Sequence, residues 1–146
     1  MKNLLVTLFL ALGLLMPSAA PAASSTMASD VPDIIANGFA AYGKTGSTDA
    51  INVWFKGSPM ESDLNTRMTT ASNLTKFEGA YGKFVGWELV KAYTLTASTK
   101  VIFVVVKYEK GPLWVAFNCY KNGDSWNIPT IGMDTNPTKI LPASAF

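Results

Sequence analysis

The sequence predicts an α+β domain in which three N-terminal helices are followed by an antiparallel meander of four strands. Apolar residues recur at spacings of three and four over residues 31–77, which is the period of helices with one buried face. From Trp87 onward the chain is rich in β-branched and aromatic residues, and turn signals such as Asn122-Gly123 separate its apolar runs. Helices first and strands afterwards, without regular alternation, are typical of the α+β class.

The first 22 residues have the pattern of a secretory signal peptide. Lys2 supplies the positive start, Leu4 to Met16 is a largely apolar run, and Ala20 to Ala22 supplies small residues for cleavage. We expect cleavage after Ala22, a lead over residues 23–29, and a single domain over residues 30–146. As a helix the apolar run reaches only about 20 Å, short of the ~30 Å hydrocarbon layer. The sequence therefore predicts a periplasmic or secreted protein without a membrane anchor.

Two short helices are predicted at the start of the domain. Asp30 is expected to cap the first helix, and Pro32 fits its opening turn. The second helix is expected to open at Thr48 or Asp49. Their apolar stripes are Val31, Ile34, Ile35, Phe39 and Tyr42, and then Ile51, Trp54 and Phe55.

The third helix is predicted to start at a capping box. Ser58 to Glu61 (SPME) combines a serine with a glutamate three residues later, and proline takes the first helical position. Threonines lower the helix propensity of the following residues, so packing must hold this helix. Its apolar side comprises Leu64, Met68, Ala71 and Leu74.

Four strands are expected after these helices. Turn signals stand at Ser98-Thr99, Gly111-Pro112 and Asn122-Gly123. Because each connection is short, consecutive strands should pair in antiparallel hairpins. The predicted strands are Trp87 to Ala97, Lys100 to Lys110, Leu113 to Lys121 and Ser125 to Met133.

The second strand is apolar on both of its faces. Val101 to Val106 has no polar residue at either parity, so both sides should be covered. The helices can cover only one side. The other side requires a second subunit, a ligand or the C-terminal tail, unless strong curvature wraps the sheet around its own core. A homodimer through the sheet is one expected outcome.

Composition excludes several classes of functional site. The chain has no histidine and one cysteine, which rules out Ser-His and Cys-His nucleophiles and four-cysteine zinc sites. A net charge of +2 gives no large field for nucleic acid. We therefore expect no metal, no cofactor and no nucleic-acid partner. Cys119 follows Val115 and Phe117 on one strand face and is expected to be buried.

Four segments resemble small secreted bacterial members of the nuclear-transport-factor-2-like superfamily. They are Tyr81 to Glu88 (YGKFVGWE), Tyr108 to Trp114 (YEKGPLW), Asp124 to Ile128 (DSWNI) and Asp134 to Pro137 (DTNP). The likeness covers nearly all of residues 30–142. It implies a curved sheet wrapped around the helices as a cone with a pocket, often dimeric through the sheet. Its members include isomerases, dehydratases and binding modules without catalysis.

Catalysis of the isomerase kind needs a carboxylate base in an apolar pocket and a hydrogen-bond donor for the enolate oxygen. The Asp-His pair of the dehydratases cannot occur without histidine. Glu88 is the acid that lies inside a strand between large apolar residues. Its parity is opposite to that of Trp87 and Leu89, which predicts a glutamate facing solvent. We accordingly assign no catalytic residue.

The residues chosen for ligand binding pair apolar surface with a polar group. On the third strand Trp114, Asn118 and Tyr120 share one face, and Trp54 lies on the second helix. The residues of this strand face either line a pocket or form a subunit interface. The leading prediction is an exported binding module with an aromatic-lined pocket for a small apolar or mixed ligand. A protein-interaction or assembly module and a small isomerase-like enzyme are the alternatives.

Overall fold

The computed structural model describes residues 30–146, so the predicted signal peptide and the lead over residues 23–29 lie outside the described residues. Three helices are followed by a four-stranded antiparallel sheet that does not close, which confirms the α+β class. The helices are α1 Asp33–Thr45, α2 Ser47–Trp54 and α3 Leu64–Tyr81, and the strands are β1 Phe84–Thr96, β2 Thr99–Tyr108, β3 Gly111–Asn122 and β4 Ser125–Asp134.

Each strand pairs with its neighbour in the sequence, in the order β1-β2-β3-β4. The predicted turn at Asn122-Gly123 connects β3 and β4, and Gly123 has a φ of 61°, which glycine adopts without steric cost. The turn between β2 and β3 lies at residues 109–110 and not at Gly111-Pro112, which belongs to β3. Pro112 pairs with Lys107 of β2, but β4 pairs with β3 only as far as Trp114, so among residues 30–146 no strand on the other side of Pro112 needs the N–H that proline lacks.

The start of α1 differs from the prediction. The N-cap position is Pro32, and no side chain caps this helix, so Asp30 does not have the predicted role. The backbone carbonyl of Asp30 instead accepts a hydrogen bond of 2.9 Å from the Lys100 ammonium. This contact ties the chain ahead of α1 to β2.

The start of α3 also differs, because two caps compete for it. The Asp63 carboxylate accepts hydrogen bonds from the backbone N–H of Thr66 at 3.0 Å and from its hydroxyl at 2.6 Å. Ser58 caps only a single 3₁₀ turn over Pro59–Glu61. An acceptor that satisfies two donors at once outcompetes the serine, so the α-helix begins at Leu64.

Only part of the predicted apolar side of α3 is buried. Ala71 and Leu74 are 8% and 1% exposed, whereas Leu64 and Met68 are 60% and 62% exposed. Burial therefore begins in the third turn of the helix, and its first two turns face solvent.

The core fills the space between the helices and the inner face of the sheet. Aromatic rings occupy its centre. The ring centre of Phe39 lies 4.9 Å from that of Trp54 and 4.8 Å from that of Trp87, and the ring centres of Trp54 and Phe117 are 5.1 Å apart. The inner face of the sheet is formed by Ile102, Val104, Val106, Leu113, Val115 and Phe117, all almost completely buried. The interior is thus packed with side chains.

Helices α1 and α2 approach closely because α1 carries a glycine at the contact. A Cβ atom on Gly38 would overlap the indole of Trp54. The same indole donates a hydrogen bond of 3.1 Å from Nε1 to the backbone carbonyl of Ile35. Because Gly38 has no side chain, the Trp54 ring can pack directly against the backbone of α1.

The outer face of the sheet is crossed by the C-terminal strap, which we define as Pro137–Ala145. Phe103 and Leu141 are 8% and 9% exposed, and both line a small cavity of about 200 Å³ between strap and sheet. The hydroxyls of Tyr93 and Ser144 lie 3.4 Å apart. The strap is one of the three covers expected for the second strand, and a homodimer through the sheet stays a prediction.

Candidate functional site

Two adjoining cavities lie at the end of the sheet where the β3–β4 hairpin turns. Their volumes are about 760 Å³ and 740 Å³, and both are lined by Gly57, Asn122 and Asn127. We call them the polar cavity and the apolar cavity, and together the end cleft. Each volume falls in the range of ~300–1,000 Å³ that is usual for small-ligand sites.

The polar cavity lies between the first two helices and the β3–β4 hairpin. Helix α1 contributes Ile34 and Asn37, which are three residues apart and so share one side of the helix. The remaining residues of this wall are Asn52, Val53 and Lys56 around α2, and Ser125 and Trp126 on β4. Amide groups around an indole can hydrogen-bond a polar ligand while the ring contacts its apolar surface.

The electrostatics of the polar cavity are set by lysine. Lys56 is exposed and forms no ion pair with any residue of 30–146. Lys100, which lines the apolar cavity, is already engaged: its ammonium lies 3.9 Å from the Asp30 carboxylate and 5.4 Å from the ring centre of Trp126. No aspartate or glutamate is among the lining residues of either cavity. The end cleft is therefore suited to a neutral or negatively charged ligand.

The apolar cavity has large hydrophobic side chains at its surface. Leu95 and Tyr120 are 63% and 47% exposed and lie near half-buried Val101. The pairing of β1 with β2 is interrupted between Thr94 and Thr96, and the residue left over at this irregularity is Leu95. The extra residue turns an apolar side chain toward the cavity and away from the regular ladder.

A second irregularity shapes the other wall. Asn118 faces Thr130 and Tyr120 faces Asn127, so β4 carries one more residue than β3 in this stretch. Pro129 lies in this bulge of β4, where the backbone N–H that proline lacks is not needed for strand pairing. The bulge brings Asn127 to the junction of the two cavities.

The structure brings together two of the four residues predicted to bind a ligand. Asn118 and Tyr120 both line the apolar cavity. Trp54 is 1% exposed in the core. Trp114 shares the outer face of β3 with Asn118. Between these two residues lie Ala116 and its β4 partner Gly132, and the strap residue Ile140 packs at Gly132. The four residues thus do not form one pocket.

Several residues of the end cleft were not predicted from the sequence. They are Asn37, Asn52, Lys56, Leu95, Trp126 and Asn127. They come from two helices, the turn after α2 and two strands, and no local motif connects them. The nearest sequence signal was the Asn122-Gly123 turn, which marks the hairpin but not the cavity beside it.

Cys119 lines the apolar cavity but is only 3% exposed. Burial raises the pKa of its thiol to about 12, and nearby Lys100 opposes this only in part. The reactive species is the thiolate, so the thiol is protected at neutral pH. The prediction of a buried cysteine is confirmed.

Labelling of native Cys119 with a thiol reagent at pH 8 is expected to be slow and to become fast in denaturant. Because the thiol ionises at lower pH in the unfolded chain, this group lowers the unfolding free energy from about pH 9 up to about pH 12. The slope is about 1.4 kcal/mol per pH unit. The Cys119→Ala variant, followed by urea unfolding, should lose less stability over that interval. Rapid native labelling or a disulfide-linked dimer would contradict the prediction.

Glu88, Tyr42 and Tyr108 form structural contacts outside the end cleft. Glu88 is exposed on the outer face of β1 and forms an ion pair with Lys107, as its parity predicts. The buried hydroxyls of Tyr42 and Tyr108 lie 3.0 Å apart, and Tyr42 donates to Glu78 over 3.5 Å. Burial raises the pKa of both tyrosines, so they stay protonated and join α1, α3 and β2.

Two further features of residues 30–146 bear on site chemistry. No group of three or more acidic or cysteine side chains in this part of the chain could hold a metal ion. None of the described helices combines the length and apolar character needed to cross a membrane.

No protein-family model matches the chain, and comparison with curated proteins finds no similar sequence.

Proposed function

We propose that the protein is an exported, non-catalytic binding module that takes a small ligand of mixed apolar and polar character in the end cleft. The observation that carries this proposal is the pair of adjoining cavities with Leu95 and Tyr120 exposed beside them. Large apolar side chains at a concave surface are typical of ligand sites. The leader pattern from Lys2 to Ala22 supports export.

The proposal includes membership of the nuclear-transport-factor-2-like superfamily. The order of three helices and a four-stranded meander supports it, as do the four quoted sequence segments. The cone of that superfamily encloses a pocket between helices and sheet. Here Phe39, Trp54 and Phe117 occupy this space, so we place the ligand at the end of the sheet.

The test uses a neutral fluorescent apolar compound, N-phenyl-1-naphthylamine, titrated into the folded protein. Saturable binding is expected, and Leu95→Asp should weaken it by about tenfold because a charge replaces apolar contact surface. The matched control is Val85→Asp, since Val85 is 62% exposed on the same strand but lies near its other end. Binding by this control should change by less than twofold.

Two results would contradict the proposed function. One is the absence of saturable binding by the unaltered protein while its melting curve shows it to be folded. The other is an equal loss of binding in the Leu95→Asp and Val85→Asp variants, which would mean that the dye adheres to apolar surface in general.

A further inference from the structure

The two halves of the end cleft differ in chemistry. Both cavities are lined by asparagines and one lysine, but the apolar cavity adds the exposed Leu95 and Tyr120, and its Lys100 is paired with Asp30. The polar cavity has Lys56, which forms no ion pair among residues 30–146. Gly57, Asn122 and Asn127 line both cavities, so the two lie side by side, and a ligand longer than one cavity would reach the other. A ligand that satisfies both must have an apolar body and a polar end.

The charges around the polar cavity favour a negative end. The Glu61 carboxylate accepts the backbone N–H of the lining residue Gly57 at 2.8 Å, and neither Glu61 nor Asp33, which precedes Ile34, lines the cavity. Arg67 is likewise engaged, because it donates to the Asn52 side-chain oxygen and, at 3.1 Å, to the backbone carbonyl of Glu61. Lys56 is the charged group that lines this cavity without an ion pair among residues 30–146.

The amide groups add hydrogen-bond donors near that charge. The oxygen of Asn52 is occupied by Arg67, so its NH₂ group is what remains for a ligand. The side chains of Asn122 and Asn127 form no hydrogen bond with another residue of 30–146. Asp124 is exposed in the adjoining hairpin turn and does not line the cavity. Donors and one lysine together match a carboxylate better than an ammonium or an uncharged alcohol.

From these observations we infer that the ligand is a soluble single-chain amphiphile with a carboxylate head. The head lies in the polar cavity beside Lys56, and the chain lies in the apolar cavity along Leu95 and Tyr120. The inference rests on the proposed binding function and adds to it the charge of the ligand and the direction in which it lies.

The experiment compares decanoate with 1-decanol, two ligands with the same apolar chain and different heads. Each is added to the folded protein carrying the neutral naphthylamine, and displacement of the dye gives its affinity. Decanoate is expected to bind more tightly than decanol. Lys56→Gln should weaken decanoate by about fivefold, as for an exposed ion pair, and should change decanol by less than twofold.

The matched control is Lys110→Gln. It removes the same charge from an exposed lysine in the β2–β3 turn, at the other end of β3 from the hairpin that borders the cleft. Both ligands should bind this variant within twofold of the unaltered protein. Added salt should weaken decanoate binding to the unaltered protein more than to Lys56→Gln.

The outcomes separate this inference from the proposed function. If the dye binds saturably but decanoate and decanol displace it equally in every variant, the carboxylate inference is wrong and the binding function stands. Equal weakening of decanoate by Lys56→Gln and Lys110→Gln would also overturn it, because only the overall charge would then matter. Failure of the dye itself to bind overturns the proposed function first.

Discussion

Replacing Val104 by aspartate is expected to unfold the protein. Val104 is completely buried on the inner face of β2, between the helices and the sheet. An unpaired carboxylate there costs several kcal/mol, a large share of a total stability of about 5–15 kcal/mol. Circular dichroism at 25 °C should therefore show loss of the native spectrum or a greatly lowered Tm.

The neighbouring change, Val105→Asp, is the control. Val105 points to the opposite face, where it is half-buried and pairs with Glu88 and Trp114. Water reaches this face, so the loss should be about 1 kcal/mol and the protein should stay folded. Complete unfolding of both variants would show that the outer face is as dry as the core.

Replacing Gly38 by alanine is expected to destabilise the protein by about 2–4 kcal/mol. Alanine raises helix propensity by about 1 kcal/mol, and a reading of α1 alone would predict stabilisation. The added methyl group must instead displace the Trp54 indole, with overpacking and the loss of its hydrogen bond to Ile35. Thermal unfolding should show a Tm lower by roughly 10 °C.

Gly79→Ala provides the matched comparison, since Gly79 also lies inside a helix. A Cβ atom there meets nothing within 4 Å. The higher helix propensity of alanine should then be the only effect, and the free energy of unfolding should rise by about 0.5–1 kcal/mol. A Gly38→Ala variant that is as stable as Gly79→Ala would mean that α1 and α2 do not pack as described.

Local patterns predicted the strands well and the helix starts less well. Strand β4 begins at the predicted Ser125 because Asn122-Gly123 specifies a tight turn through its own backbone. The capping box predicts the start of α3 at Ser58, because it can be recognised without knowing that Asp63 offers a better acceptor. Competition between caps depends on how the chain approaches the core, and the spacing of residues does not contain that information.

The candidate site was harder to predict than the fold. Strand parity correctly grouped Asn118 with Tyr120, which the apolar cavity brings together. Parity could not show that the strap separates Trp114 from them. Asn37 is exposed on α1 and Lys56 is exposed in the turn after α2, where polar residues are ordinary. They become a site only when both helices meet the β3–β4 hairpin, which is a property of the tertiary structure.

We expect the strap to open separately from the core of the protein. Phe103 and Leu141 lie outside the main core cluster, and the Tyr93–Ser144 contact joins residues 51 positions apart in the chain. Such a segment can detach while the hydrogen bonds of the sheet stay intact, so amide hydrogens of the strap itself should exchange faster than those of the inner strands β2 and β3. Each opening uncovers Phe103 on a surface flanked by two sheet edges. We therefore expect self-association through this face to depend on how often the strap opens, at temperatures well below the one at which the core unfolds.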